Sequence, residues 1–364
     1  MKALIRTLLL ILFVCGSKAN AGIRPSFGLD YCSWHATHIV VATEGERIDG
    51  RLTVLESWKG DLSPGEVISI SELATFKSPS SRAIKAMFDR ETKGPLKIVT
   101  GSRMILFLKK ESEPVGNRRE TYHDAASKFG WAPADKAGIN VSVVWVEADQ
   151  TFAFLQLMNP GPSLLTNYGE TESEIRDRSF AVIRVQDSLN ETLATSDCSK
   201  KTEALEEFST SSLYYASEVA FAEMQKCGDA ALGVLRRMLN DQSLLRVHRK
   251  VIESMADIGG EKVGDELTQI VKEELEFWKA TGPGLKEGWW NEIDQPETDA
   301  LRNRYGRVYA ALYSLRKLGF SGCKESIIEF RDFWRSLPQL EDKSGLNQIS
   351  EECDKILNSL NREN

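Results

Sequence analysis

The hydrophobic period of this chain changes once, near residue 170, from two to about 3.6. A chain with that change folds as a β-rich unit followed by a helical one, an α+β arrangement. In the front half, Ile39-Val40-Val41-Ala42 is a short apolar run of strand length, most of it β-branched. Residues 51–58 and 66–70 alternate polar and apolar, and Gly101-Ser102-Arg103-Met104-Ile105-Leu106-Phe107-Leu108 reads as a further strand. Turn residues separate them: Gly45 to Gly50, then Gly60-Asp61-Leu62-Ser63-Pro64-Gly65. Residues 81–89 read as more helical, and 111–136, polar and rich in turn formers, as a loop. Val141-Ser142-Val143-Val144-Trp145-Val146 and Thr151-Phe152-Ala153-Phe154-Leu155-Gln156 flank a four-residue turn as a hairpin. Asn159-Pro160-Gly161-Pro162 ends it, because two prolines and a glycine stop helix and sheet alike.

Residues 1–21 read as a secretion signal. Lys2 and Arg6 open it, the run from Leu8 to Val14 is apolar, and Ala19-Asn20-Ala21 is a small-residue cleavage site before Gly22. That run falls well short of the roughly 20 apolar residues a membrane span needs, and no later segment is long and apolar enough either. The expected mature protein is therefore exported, periplasmic or extracellular. The whole chain carries −7, and loss of Lys2, Arg6 and Lys18 takes the mature chain to −10. Nucleic acid is excluded as an expected partner, since phosphate binding needs a concentrated basic surface. Of the six cysteines, five follow the signal: Cys32, Cys198, Cys227, Cys323 and Cys353. In an oxidising compartment, sequence proximity suggests Cys198 with Cys227 and Cys323 with Cys353, although connectivity is open; Cys32 is left as a buried thiol.

Leu55-Glu56-Ser57-Trp58-Lys59-Gly60, Gly65-Glu66-Val67-Ile68 and the strand from Gly101 to Leu108 together resemble the netrin-like or TIMP-like domain of exported bacterial proteins. The resemblance covers roughly residues 30 to 110 and implies a small, closed OB-type β-barrel. In the animal inhibitors of this group an N-terminal cysteine grips a protease zinc. Cys32 stands ten residues beyond Gly22, and the group's paired cysteines are missing here.

Thr171-Glu172-Ser173-Glu174 is a capping box, and it opens a helix running to about Leu193. Behind it the pattern repeats. Arg246 to Ile258, Gly259 and Val263 to Trp278 align with Arg304 to Leu318, Gly319 and Cys323 to Trp334, so that Glu276-Phe277-Trp278 matches Asp332-Phe333-Trp334. This resembles HEAT-type repeat structure, in which helix pairs stack because none buries its apolar face alone; a plain helical bundle is the alternative. The resulting domains are a signal at 1–21, a β-rich TIMP-like domain with an extra hairpin at 22–165, a connecting helix at 166–203 and a HEAT-like domain at 204–364. A Gly/Pro-rich insertion holds Trp289 and Trp290, either contact anchors on a binding face or a cover for the end of a helix pair.

Chemistry is sparse. Asp30, Cys32, His35 and His38 form the only local group of metal-ligating types, and no further ligand follows the His35-x-x-His38 pair at a recognisable spacing. There is no Gly-x-Ser-x-Gly elbow, His-Glu-x-x-His motif or phosphate loop, so no catalytic residue and no cofactor is expected. His248 is expected on the surface or partly packed, and carboxylate pairs such as Glu273-Glu274 on a solvated helix face. The function these features imply is a non-enzymatic binding or scaffold protein whose partner is a protein or an envelope component. A secreted hydrolase or metalloprotease inhibitor acting through Cys32, His35 and His38 is the alternative.

Overall fold

β-Branched side chains suit a pleated strand that is covered on both sides, and in the computed structural model the run at Ile39 lies at the centre of a sheet. The structure describes residues 27–45, 50–70, 73, 103–110, 131–133, 142–147, 150–156, 163–286, 289–291, 295–337 and 348–361. The expected signal, the helical stretch at 81–89 and the stop at 159–162 fall outside them. The chain divides into two units, residues 1–184 and 185–364.

In the first unit, α1 (Leu29–His35) leads into β1 (His38–Glu44). Then follow β2 (Arg51–Lys59), β3 (Val67–Ser69), β4 (Arg103–Lys110), β5 (Trp131–Pro133), β6 (Val143–Glu147), β7 (Gln150–Gln156), β8 (Ser163–Asn167) and α2 (Glu172–Leu193). The order across the sheet is β3-β2-β1-β4-β6-β7-β8, with β5 also on β4, and every pairing is antiparallel. Among the described residues no ladder joins β3 to β8, so the sheet is open, which corrects the closed barrel expected from the resemblance. The physical reason lies at β4. Its edge away from β1 is taken by β6, whose Val143-Val144-Trp145-Val146 run is buried throughout, and the chain extends the sheet through β7 and β8. β5 corrects the loop assigned to 111–136, and β8 begins beyond the expected stop.

Both faces of the sheet are apolar. Val40, Ala42, Leu52, Val54, Leu106 and Trp145 share one core. Ile39, Val41, Phe107 and Val144 share the other with Leu29 and Cys32 of α1 and Ile175 of α2. Trp58 has the same parity as Leu52 and Val54, yet it belongs to the opposite core. The register shift between Val41 and Ala42 in the β1–β2 ladder accounts for this, because the one extra residue it leaves in β2, Leu55, changes the phase of those that follow. The capping box of α2 forms as predicted: the Glu174 carboxylate accepts from the Thr171 N–H at 2.6 Å, and the Thr171 hydroxyl accepts from the Glu174 N–H at 3.3 Å.

The second unit is helical: α3 (Cys198–Ser209), α4 (Tyr214–Lys226), α5 (Asp229–Asn240), α6 (His248–Ile258), α7 (Glu261–Thr281), α8 (Pro296–Leu318), α9 (Lys324–Arg335) and α10 (Gln348–Leu360). Successive helices pack as pairs, α3 on α4, α5 on α6, α7 on α8 and α9 on α10. α4, α6, α8 and α10 also follow one another in one layer. On the other side α3 packs on α5 and α7 on α9. The two glycine turns of the aligned segments occupy matching places, Gly259 with φ 86° and Gly319 with φ 61°. Positive φ lets the chain leave each helix without a Cβ clash. The second copy departs in one respect: α8 starts at Pro296, eight residues ahead of Arg304.

An ion pair marks each same-layer step. On one side these are Arg237 with Glu203 at 2.7 Å, Arg236 with Glu266 at 3.0 Å and Lys279 with Glu329 at 2.9 Å. On the other they are Lys250 with Glu218 at 2.9 Å, Lys317 with Asp257, and Arg316 with Glu352.

Candidate functional site

α1 ends at His35, and two extended residues later β1 begins at His38, so the four candidate ligands near residue 30 leave the helix in different directions. Asp30 pairs with Arg178 at 3.1 Å. Cys32 is wholly buried in the core between sheet and helices. His35 is half-buried, its ring centroid 4.3 Å from that of Tyr31. His38 is buried at the start of β1. Among the described residues no three or more His, Cys, Asp or Glu side chains are placed to hold a metal ion.

What His38 does join is a hydroxyl and a carboxylate. Its Nδ1 is hydrogen-bonded to the Thr37 Oγ1 at 2.9 Å and its Nε2 to the Asp61 Oδ1 at 2.7 Å. Thr37 is exposed, and its N–H donates to the Leu108 carbonyl at 2.9 Å, fixing it against β4. Asp61 stands in the β2–β3 turn with its side chain 76% exposed. The turn approaches the imidazole through Gly60, where a Cβ would lie 2.1 Å from the His38 ring and φ is +91°. A hydroxyl on one ring nitrogen and a carboxylate on the other is the group order that activates a hydroxyl nucleophile. The same bonds tie the turn to the start of β1. Thr37, Gly60 and Asp61 escaped the sequence reading. The one signal for them is a Gly-Asp turn entry 23 residues after a strand-initial histidine, in a hairpin that returns to it.

At the other end of β4, the Arg103 Nη2 donates to Glu56 at 2.5 Å and to Glu172 at 2.7 Å, binding β4 to β2 and to the start of α2. The arginine, together with the Trp58 indole, holds the Glu56 carboxyl below the usual carboxylate range.

The helical unit contains a buried polar cluster that the sequence assigned to the surface. Glu274 of α7 is 0% exposed, not part of a solvated face, because it accepts from the Arg307 Nη1 at 2.5 Å and the Arg304 Nη1 at 3.0 Å. Burial outweighs both guanidinium groups and raises its carboxyl above the usual range. His248 is likewise fully buried, and its Nε2 is hydrogen-bonded to the Asp241 carbonyl at 3.0 Å. Burial, with Arg307 and Arg304 nearby, pushes its imidazole down.

Of the two tryptophans in the insertion, Trp289 is 4% exposed and its ring centroid lies 6.1 Å from that of Trp278. It is core, not a displayed anchor. Trp290 is half-buried and tilts edge-on to Tyr305 at 4.9 Å. Trp278 meets Trp334, its partner in the sequence alignment, at 5.3 Å. All five described cysteines are unbridged. Cys323 Sγ donates to the Phe320 carbonyl at 2.9 Å, and burial pushes the Cys323 thiol up to about 11 and the Cys353 thiol up to about 12. Cys198 opens α3 and Cys227 caps the C-terminus of α4; burial, with Cys198 nearby, pushes the Cys227 thiol up to about 11. No helix among the described residues is long and apolar enough to cross a membrane. In comparisons with protein-family models, curated proteins and solved structures, this chain matches none.

Proposed function

We propose that this is an exported scaffold protein whose helical unit presents an extended face to a protein partner of the cell envelope or the extracellular space. The observation that carries the reading is the serial stacking of helix pairs from α3 to α10, with an ion pair at each same-layer step. Such an array holds its surface residues at fixed spacing over many helices. The HEAT-type character of the repeat belongs to this proposal, supported by the contact of the aligned Trp278 and Trp334. The kinship of the first unit with netrin-like or TIMP-like domains rests on the motifs around Trp58 and Met104, with an open sheet.

Tyr214 of α4 and Tyr313 of α8 are 62% and 44% exposed on one layer of the array, and large aromatic side chains are the usual anchors of protein interfaces. Photo-crosslinking amino acids at these positions, in the native envelope fraction and the medium, should capture one and the same protein. Probes at the exposed Glu207 and Lys272, on the other layer, should not. Absence of an adduct at all four positions would refute the proposal. Export itself predicts a mature N-terminus at Gly22, read by N-terminal sequencing.

The Thr37-His38-Asp61 order supports a second reading, a hydrolase acting through the first unit. Turnover of activated esters by the purified protein, abolished by Thr37→Val, would put that reading first. Stoichiometric bound zinc, lost on His35→Ala or His38→Ala, would do the same for a metal-dependent form.

A further inference from the structure

Cys198 is the first residue of α3, and Cys227 caps the C-terminus of α4. The two helices pack as a pair, so these ends meet. One turn along α3 the Thr202 hydroxyl lies 3.5 Å from the Ala230 carbonyl, three residues past Cys227, so the helix ends that carry the two cysteines lie side by side. Both thiols are half-buried, whereas Cys32, Cys323 and Cys353 are buried. The one adjacent pair of thiols is therefore also the accessible pair among the described residues. Side chains so placed need only small rotations to reach the geometry of a disulfide.

We propose that Cys198 and Cys227 form a reversible disulfide that fastens α3 to α4, closed by exchange with a small-molecule disulfide. In this exchange Cys198, the first residue of α3, makes the first attack and Cys227, whose thiol burial and its neighbour push up to about 11, resolves it. The Cys198 thiolate attacks one sulfur of the small disulfide, forming a mixed disulfide and releasing one thiolate. Cys227, losing its proton to solvent as it reacts, then attacks the Cys198 sulfur and releases the second. The protein gives up two electrons and two protons, and the small disulfide is reduced to two thiols. The bridge would close at the first helix pair of the array. A covalent tie there would hold α3 to α4 at the start of the array.

The test uses the full-length protein, reduced and then equilibrated with glutathione disulfide, with intact mass and peptide mapping as readouts. The expected product is 2 Da lighter, about the mass of two hydrogens, and carries one bridge between Cys198 and Cys227, with Cys32, Cys323 and Cys353 unreacted until the protein is unfolded. Cys227→Ser should stop at a stable glutathione adduct on Cys198, because the resolving thiol is gone. Cys198→Ser should form neither the bridge nor, at the same rate, any adduct. An unchanged wild-type mass would overturn the proposal, as would a mixed disulfide that never resolves or a bridge to Cys32, Cys323 or Cys353.

Discussion

Replacing Arg307 with methionine keeps most of the side-chain volume but removes the closest counter-charge of Glu274. The carboxylate is 0% exposed and the guanidinium 4%, with 2.5 Å between Oε1 and Nη1. Two unit charges about 4 Å apart attract by about 4 kcal/mol at an effective dielectric of about 20. Removing one partner of a buried pair costs about 3–5 kcal/mol, because the other charge stays behind without compensation. Arg304 still reaches Glu274, but its side chain is 24% exposed, so its attraction is partly screened, and the cost should fall at the lower end, about 3 kcal/mol. The raised carboxyl of Glu274 shows that the pair does not recover its own desolvation. The double replacement Glu274→Leu with Arg307→Met should therefore come back to within about 1 kcal/mol of the parent. Trp278, one helical turn after Glu274, lets tryptophan fluorescence report on this region in urea unfolding, with far-ultraviolet circular dichroism as the global probe. A single replacement costing under about 1 kcal/mol would refute the argument. A double variant as unstable as the single one would show that the pair is a net stabiliser.

Gly60→Ala should destabilise the first unit by more than about 1 kcal/mol, through both the positive φ and the overlap with the His38 ring, and His38→Ala in the same background should recover the steric part; chemical unfolding of the single and double variants checks this. His248 gives a pH dependence: its folded pKa lies below the ordinary 6.5, so below pH about 6.5 the unfolded chain binds a proton that the folded one refuses. Stability should be level above that pH and fall as the pH drops below it. Glu274, shifted up, acts with the opposite sign between 4.5 and its folded pKa, so the measurement is the difference in slope between the parent and His248→Gln, and equal slopes would sink the assignment. Oxidation at Cys198 and Cys227 closes a loop of about 30 residues and should raise stability by about 3.5 kcal/mol over the reduced form, read as a shift in the urea midpoint. Thr171→Ala should cost about 1 kcal/mol through loss of the capping box.

Local patterns were legible, and long-range pairings were not. β1, β2, β4 and the hairpin of β6 and β7 appear where alternation and β-branching placed them, because each strand carries its own pattern of covered side chains. Barrel closure depends on which strand takes the far edge of β4, and that competition leaves no local trace. β5 lies in a polar stretch rich in turn formers and β8 directly after two prolines, so the neighbouring residues argue against a strand at either place. The helical unit was readable because helix spacing and glycine turns are local. The contact of His38 with Asp61 was missed for the reason the barrel was miscast: it is a product of the β1–β2 ladder. Glu274 was misassigned because a carboxylate within a charged helical run carries no mark of the arginines, 30 and 33 residues later, that bury it.

The ion pairs along the helical array bear on what sets its shape. Most are partly exposed, and such pairs contribute about 0–1 kcal/mol each, far less than burial of Trp278, Trp334 and Phe330 in the same unit. Apolar contact alone, however, tolerates sliding of one helix along another, since leucine, valine and methionine fit many registers. An arginine at one turn of α5 and a carboxylate at one turn of α7 meet in a single register, and the same holds at each following step. The buried Glu274–Arg307 pair between α7 and α8 extends this logic into the interior, where a one-turn slip would leave both charges unpaired. The apolar core thus supplies the stability and the charged positions select the stacking geometry. A register fixed in this way is what a surface presenting Tyr214 and Tyr313 at constant spacing requires.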